Sequence, residues 1–337
     1  MRALQARNHS VLCWEQSDNW SLEHLLAESP EAVAQFQSNF PDLKYQRYTL
    51  GSRLEAELRR AVAETDVVVV HEWNEPRVIR LIGRIAQDRG VKSVFHDTHY
   101  RVVLDPFYRE RLGLDNFDCI AAFSPSLAER YSALGYRNVH VLHEAADTTV
   151  FAPREVGPRD DVIFIGNYGD GDRDDELEAF LFRPRRSLPH LRYAVYGVRY
   201  PGHVLARLRG CLNIDYRGRI PNVDVPAAYS AAKVALHIPR RQYVELLPGT
   251  PTIRVFEALA TGTCLISLPW CDTDGLFQAG KDFVVARTPD EMRDTVRELC
   301  SDPIARRAVA QQGLQTVLAR HTCNHRADQL LEIVRCA

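Results

Sequence analysis

Two α/β domains built on parallel sheets are predicted from three observations. Short β-type runs alternate with amphipathic helical stretches along the whole chain, the pattern of parallel strands covered by helices on both faces. The 337 residues exceed what one growing hydrophobic core organises, so two domains are expected. A polar stretch with two prolines, 151–160, interrupts the alternation near the middle and continues neither a helix nor a central strand.

Taken in order, the chain opens in an amphipathic helical stretch, 1–9, followed by a strand at 10–14. A dinucleotide-type sheet begins with a strand that lies at its centre, and neither that strand nor its turn precedes the helix. The expectation is a truncated or misassigned start, or a first domain that closes its sheet in an unusual way. Compact apolar runs at 66–70, 91–95, 119–123 and 139–142 then predict buried strands with helical stretches between them. With 151–160 read as the interdomain linker, the first domain covers 1–152. The second, 153–320, opens with a strong strand at 161–165 and continues through 193–196, 214–216, 234–238, 264–267 and 283–286. Helical runs at 289–300, 304–319 and 325–334 close the chain, and the segment 321–337 is expected to pack back on the first domain.

Composition narrows the function classes. The chain is 45% hydrophobic and 26% charged, the profile of an ordinary globular enzyme. A formal charge of −2 gives no long-range attraction to phosphate backbones, which argues against nucleic acid as the primary partner. The eight cysteines are scattered, with no C-x-x-C pair and no metal-ligand spacing, so they read as free thiols in a reducing cytosol. No run approaches the length of a membrane span, and the amino end lacks the order of a signal peptide. A cytoplasmic protein is expected.

The most informative stretch is 249–267, which reads as loop, short helix, glycine stop and buried strand. Thr250 or Thr252 is expected to cap the helix, Pro251 suits its first turn, and Gly262 stands where a helix ends in the left-handed conformation. Arg254 and Glu257 are three apart, so a cation and a carboxylate share one helical face near the strand ends where α/β sheets bind ligands. A nucleotide sugar suits that pairing: free helix amides and Arg254 attract the diphosphate, and Glu257 accepts from ribose hydroxyls. A surface ion pair is the plainer alternative. A second loop, Gly166, Asn167 and Tyr168 leading to Arg173, follows a strand and holds three glycines; it is either a close-approach ligand loop or a turn. Arg240 and Arg241 follow another strand as a phosphate clamp or a solvated basic turn. In the first half His96, Asp97 and His99 crowd a strand end, where Asp97 and His99 are the candidates to orient an acceptor hydroxyl or move its proton. The similar string His71-Glu-Trp-Asn-Glu ranks below it, and a satisfied loop histidine is the ordinary alternative to both.

Several of these blocks together resemble the GT-B glycosyltransferases of the spore-maturation CgeB type, relatives of the retaining group-1 class. The carriers are Ala3-Leu-Gln-Ala-Arg-Asn-His-Ser-Val, His96-Asp-Thr-His, Phe123-Ser-Pro-Ser-Leu and Glu144-Ala-Ala-Asp-Thr-Thr-Val-Phe-Ala-Pro. In the second half they are Phe164-Ile-Gly-Asn-Tyr with Arg173, Tyr196-Gly with Tyr200-Pro, Leu236-His-Ile-Pro-Arg, Ile253-Arg-Val-Phe-Glu-Ala-Leu-Ala-Thr-Gly and Phe277-Gln-Ala-Gly-Lys-Asp-Phe. The resemblance implies two Rossmann-like domains facing a cleft, a nucleotide diphosphate sugar donor held mainly by the second, and transfer with retention to a hydroxyl-bearing acceptor without an obligatory metal or other cofactor. It makes Glu257 the ribose-binding glutamate and Arg254, Arg240 and Arg173 candidates for the diphosphate. The E-x7-E pattern of the wider class would need a glutamate at 249, where this chain has Gly249. A nucleotide-sugar epimerase or hydrolase on the same fold, or a non-catalytic nucleotide-sugar-binding partner protein, is the competing reading.

Overall fold

The computed structural model describes residues 1–169 and 171–337, with positions 20, 24 and 28 described by backbone alone. Its backbone falls into two compact units, residues 1–122, 131–140 and 327–337 in the first and 123–130 and 141–326 in the second. The segment 141–152, expected in the first domain, thus belongs to the second unit. The reason is apolar burial: Ala146 and Phe151 are enclosed in the second unit's core with Val150 packed against them. Residues 327–337, most of the last helix Cys323–Cys336, group with the first unit, where Arg7 pairs with Asp328 at 2.6 Å.

The second unit carries strands β7 (Asp160–Ile165), β8 (Tyr193–Tyr196), β9 (Asp215–Tyr216), β10 (Ala232–His237), β11 (Cys264–Ser267) and β12 (Val284–Val285). They form one parallel sheet in the order β12-β11-β10-β7-β8-β9. This is the doubly wound order, in which the first strand of the set is central and the direction of winding reverses beside it. Every residue of β7 is buried, as a strand covered on both faces requires. Its alternate residues serve two cores: Val162 and Phe164 face one that includes Leu177, Leu181 and Met292, while Ile163 and Ile165 face another that includes Val255, Phe256 and Phe277.

The first unit holds β1 (Leu12–Gln16), β2 (Lys44–Tyr48), β3 (Val67–His71), β4 (Lys92–Asp97), β5 (Cys119–Ala122) and β6 (Val139–Val141). β1 pairs with β2 in a parallel two-stranded sheet, and β3-β4-β5-β6 form a separate sheet of four. Both lie over a shared core in which Tyr48, Leu54, Leu58, Val78 and Ile85 are buried and Trp14 and Val68 are packed against it. The doubly wound order would put one more strand between β1 and β3; among the described residues none lies there, and Leu12 and Val69 are exposed. The described strands of the first unit thus lie in two separate sheets, β1-β2 and β3-β4-β5-β6.

Two of the second sheet's strand ends approach so closely that only glycine fits. Gly197, after β8, has φ of +149°, and a Cβ there would stand 2.1 Å from the carbonyl oxygen of Gly166, after β7. Gly197→Ala is expected to lower stability by roughly 2–4 kcal/mol through that clash. An unchanged melting temperature would show that the two strand ends sit further apart.

Candidate functional site

In the second unit, winding reverses between β7 and β10, and the loops after these strands hold most of the residues singled out from the sequence. Gly166 follows β7; a side chain at this position would meet the Arg173 guanidinium, since an added Cβ would lie 2.7 Å from its Nη1. The glycine thus makes room for the arginine. Arg173 is largely enclosed, its Nε has no hydrogen-bond partner, and its pKa is pushed down to about 10 by burial first and by Arg240 second. Arg240, after β10, pairs with Asp172 at 3.3 Å, and that carboxylate also accepts from Gln242 Nε2 at 2.7 Å. The result is two arginines side by side with too little negative charge around them. Asn167 and Tyr168 serve the backbone of this loop: Asn167 Oδ1 accepts from Val198 N and Tyr168 N donates to Val198 O. Asp170 of the same loop lies outside the described residues.

The helix Ile253–Ala260 begins beside the same strand end, and Gly262 closes it in the left-handed conformation at φ +65°, as expected. Its start differs from the expectation, because neither threonine caps it. Thr252 Oγ1 lies 3.0 Å from His237 Nε2, while His237 Nδ1 lies 2.8 Å from Ser267 Oγ. Ser267 Oγ donates to Leu268 O, so it accepts from His237 Nδ1; Nε2 then accepts from Thr252. His237 is held neutral by burial and by Arg173, its pKa lowered to about 3. Thr250 Oγ1 is buried with no partner. Arg254 and Glu257 meet as the spacing predicts, Nη1 to Oε2 at 2.5 Å, and Glu257 is buried at 4% exposure, with its carboxylate engaged by the arginine. Glu144, from the segment after β6, accepts a hydrogen bond from the backbone of Ile253; burial first and Glu257 second raise its pKa to about 8.

In the first unit, Asp97 ends β4 and is almost fully buried. It accepts from Tyr131 Oη at 2.6 Å and from His99 N at 2.9 Å. His99 Nδ1 accepts from Arg101 N, so the neutral ring carries its proton on Nε2. His96 lies on the same strand with its pKa lowered to about 4 by burial.

One group here ranks low in the sequence. Glu72 is 1% exposed, its Oε2 has no hydrogen-bond partner, and Arg101 Nη1 lies 3.9 Å away. The signal that could have raised it is the parallel register: His71 pairs with His96, so the next residues, Glu72 and Asp97, reach the same level. Arg101 also lies over the rings of Trp73 and Tyr108, and Trp73 is 61% exposed.

Burial is the main reason that Glu72 rises from 4.5 to about 8 and Asp97 from 3.8 to about 6. A carboxyl raised in the folded state stabilises the fold while protonated, and that contribution is lost as pH climbs from the unfolded value through the folded one. Glu72→Gln should therefore melt above wild type at pH 8.5, by on the order of 1–2 kcal/mol. The gap should close towards pH 4.5, the ordinary value for the group. Identical melting curves at both pH values would show that the carboxyl is not desolvated.

Among the described residues no group of three or more His, Cys, Asp or Glu side chains is arranged to hold a metal ion, and no helix is long and apolar enough to cross a membrane. Residues 173–332 match the profile of a family described as glycosyl transferase-like. No curated protein matches the sequence. Among solved structures, HepE of Anabaena in complex with UDP and glucose superposes with a TM-score of 0.70 at 12% identity, covering 97% of this chain and 99% of that one. A glycosyltransferase from Rickettsia africae gives 0.65 at 11% identity over 98% of this chain and 91% of that one. Sucrose-phosphate synthase of Thermosynechococcus elongatus gives 0.60 at 16% identity, with 93% and 79% covered. The chain has the GT-B fold of these structures, and its residues 173–332 match the glycosyl transferase-like family.

Proposed function

We propose that this chain is a glycosyltransferase that binds a nucleoside diphosphate sugar on its second unit and transfers the sugar to a hydroxyl-bearing acceptor, with retention and without an obligatory metal. The observation that carries the reading is the Arg173–Arg240 pair, two cations that share the carboxylate Asp172, at the point where the winding of the second sheet reverses. Doubly wound sheets bind ligands at that place, and a buried cation beside a like charge is stabilised by an anion. A diphosphate supplies it. As the glycosidic bond breaks, charge accumulates on the departing diphosphate, and fixed guanidinium groups stabilise it without reorganising. Gly166 keeps the space beside Arg173 open, Asn167 and Tyr168 hold the loop against 198, and Arg254 with Glu257 forms the hydroxyl-facing side of the donor site. HepE, of the same fold, has been solved with UDP-glucose, which makes a UDP-sugar the first donor to test.

Asp97 and His99 are assigned to the acceptor. Asp97, enclosed and hydrogen-bonded to the His99 amide, acts as a positioning residue for the turn that carries the imidazole. His99, on the turn that Asp97 holds, is the residue assigned to the acceptor hydroxyl.

Arg173→Met separates the donor reading from a structural one. Removing a poorly neutralised buried charge should raise the melting temperature of the unliganded protein. UDP affinity should fall by roughly 1.5–3 kcal/mol, about tenfold to a hundredfold, when measured by calorimetry. Undiminished UDP binding would remove Arg173 from the site.

Asp97→Asn and His99→Ala should leave UDP binding intact while slowing sugar transfer from UDP-glucose to an acceptor panel. Weakened UDP binding in either variant would place these residues on the donor side. Donor consumption without any acceptor would favour the hydrolase or epimerase alternative.

A further inference from the structure

Beside the ends of β3 and β4 the first unit holds an arginine with one edge unused. Arg101 stands against two aromatic rings, its guanidinium carbon 4.9 Å from the Trp73 centroid and 5.0 Å from that of Tyr108. Its Nη1 donates to Tyr108 Oη at 3.0 Å, and that hydroxyl donates to the Glu72 carbonyl oxygen. Nε and Nη2 form the edge whose parallel N–H groups match two oxygens of a carboxylate or phosphate. Among the described residues these two nitrogens are neither paired nor enclosed, and the side chain is 33% exposed. The flanking rings fix the plane of the guanidinium, so little rotamer freedom is left to lose on binding.

No carboxylate of the described residues takes that edge. Glu72 is the one that approaches, and its Oε2 lies 3.9 Å from Nη1, the nitrogen already engaged by Tyr108. Burial raises Glu72 to about 8, so it holds its proton at neutral pH and does not neutralise the guanidinium. Asp97, the other carboxyl nearby, is taken up by Tyr131 Oη and the His99 amide. The arginine is tied to the turn assigned to the acceptor: its amide donates to His99 Nδ1 at 3.1 Å, and the Trp73 and His99 rings meet edge-on at 5.0 Å.

We propose that the acceptor carries a carboxylate or phosphate group, gripped by the Nε–Nη2 edge of Arg101, with its sugar-receiving hydroxyl towards His99. The Trp73 and Tyr108 rings displace water from beside the guanidinium, which strengthens a charge-assisted pair over one in open solvent. The inference deepens the acceptor reading given above and rests on it. A carboxylate and a phosphate present the same pair of oxygens, and sugars bearing one or the other separate them.

Glucose, glucuronate and glucose-6-phosphate are to be titrated by calorimetry into the full chain, as wild type, Arg101→Gln and Arg101→Lys, with UDP present so that Arg173 and Arg240 are occupied. Wild type is expected to bind at least one of the two anionic sugars about tenfold tighter than glucose, the value of a charge-assisted contact. Preference for glucuronate alone identifies a carboxylate, and for glucose-6-phosphate alone a phosphate. In Arg101→Gln the ratio should fall to near one with UDP affinity unchanged. Arg101→Lys, which keeps the charge and loses the planar fork, should retain only part of the preference, and it decides the question if Arg101→Gln does not fold. No anionic preference in wild type, or one that either variant keeps in full, overturns the inference. Weaker UDP binding in Arg101→Gln assigns the fork to the donor diphosphate and overturns it as well. No UDP binding to wild type overturns the donor reading alone, because the anion ratios still decide the role of Arg101. If the preference depends on Arg101 and the favoured sugar receives nothing from UDP-glucose, the acceptor reading fails and the oxyanion site stands.

Discussion

A guanidinium enclosed where a parallel sheet reverses its winding, with a second guanidinium beside it, is the constraint that orders this end of the second unit's sheet. The glycine at position 166 leaves room for the Arg173 guanidinium, which an added Cβ would approach to 2.7 Å. The carboxylate that acts on it, Asp172, is shared with Arg240 and Gln242. The surplus charge reaches His237, which it helps to hold neutral. A neutral His237 that donates to Ser267 must accept from Thr252, and this withdraws the threonine from the helix it precedes. An uncapped helix start then accommodates a carboxyl from elsewhere, Glu144. One misfit of charge propagates through a fixed tautomer to the shape of a neighbouring site.

The first unit presents the opposite imbalance. At the ends of β3 and β4 two carboxyl groups, Glu72 and Asp97, are buried, and the cation Arg101 acts on both. Desolvation outweighs its attraction, so Glu72 is raised to about 8 and holds a proton at neutral pH. Surrounding histidines are neutral for the same reason, His71 and His96 both lowered to about 4. A site short of negative charge attracts a diphosphate, whereas a site of neutral acids and imidazoles offers hydrogen bonds to hydroxyls. The ends of β3 and β4 are thus kept neutral by burial, whereas the Arg173–Arg240 cluster keeps a surplus of positive charge.

Much of this is legible in the amino-acid sequence. Apolar runs locate the strands of the second sheet, with 193–196 and 264–267 matching β8 and β11, because a parallel strand buried on both faces leaves an uninterrupted apolar signature. β2, Lys-Tyr-Gln-Arg-Tyr, escapes that reading, since it is mostly exposed and carries no such signature. The prolines of 151–160 suggest a domain boundary, yet burial of Phe151 draws the chain before them into the second unit. Local preference assigns a cap to Thr250 or Thr252 but carries no information about His237, which reaches Thr252 from a neighbouring strand. Glu72 ranks low because its partner Asp97 is adjacent only through strand register.

Gly249 shows most clearly what a motif can and cannot convey. The spacing to Glu257 fixes where a second carboxylate would stand if the chain carried one there, but the backbone at 249 is left-handed and pressed against Thr273 and Cys271. A glutamate in that conformation would be strained and would clash, so the local sequence has no route to that carboxylate. A carboxyl nonetheless meets the start of the helix, from position 144. The physical requirement at such a helix end is a group with the right charge and reach, and the chain satisfies it by tertiary approach. Sequence spacing records one way of placing that group; only the packed structure reveals the other.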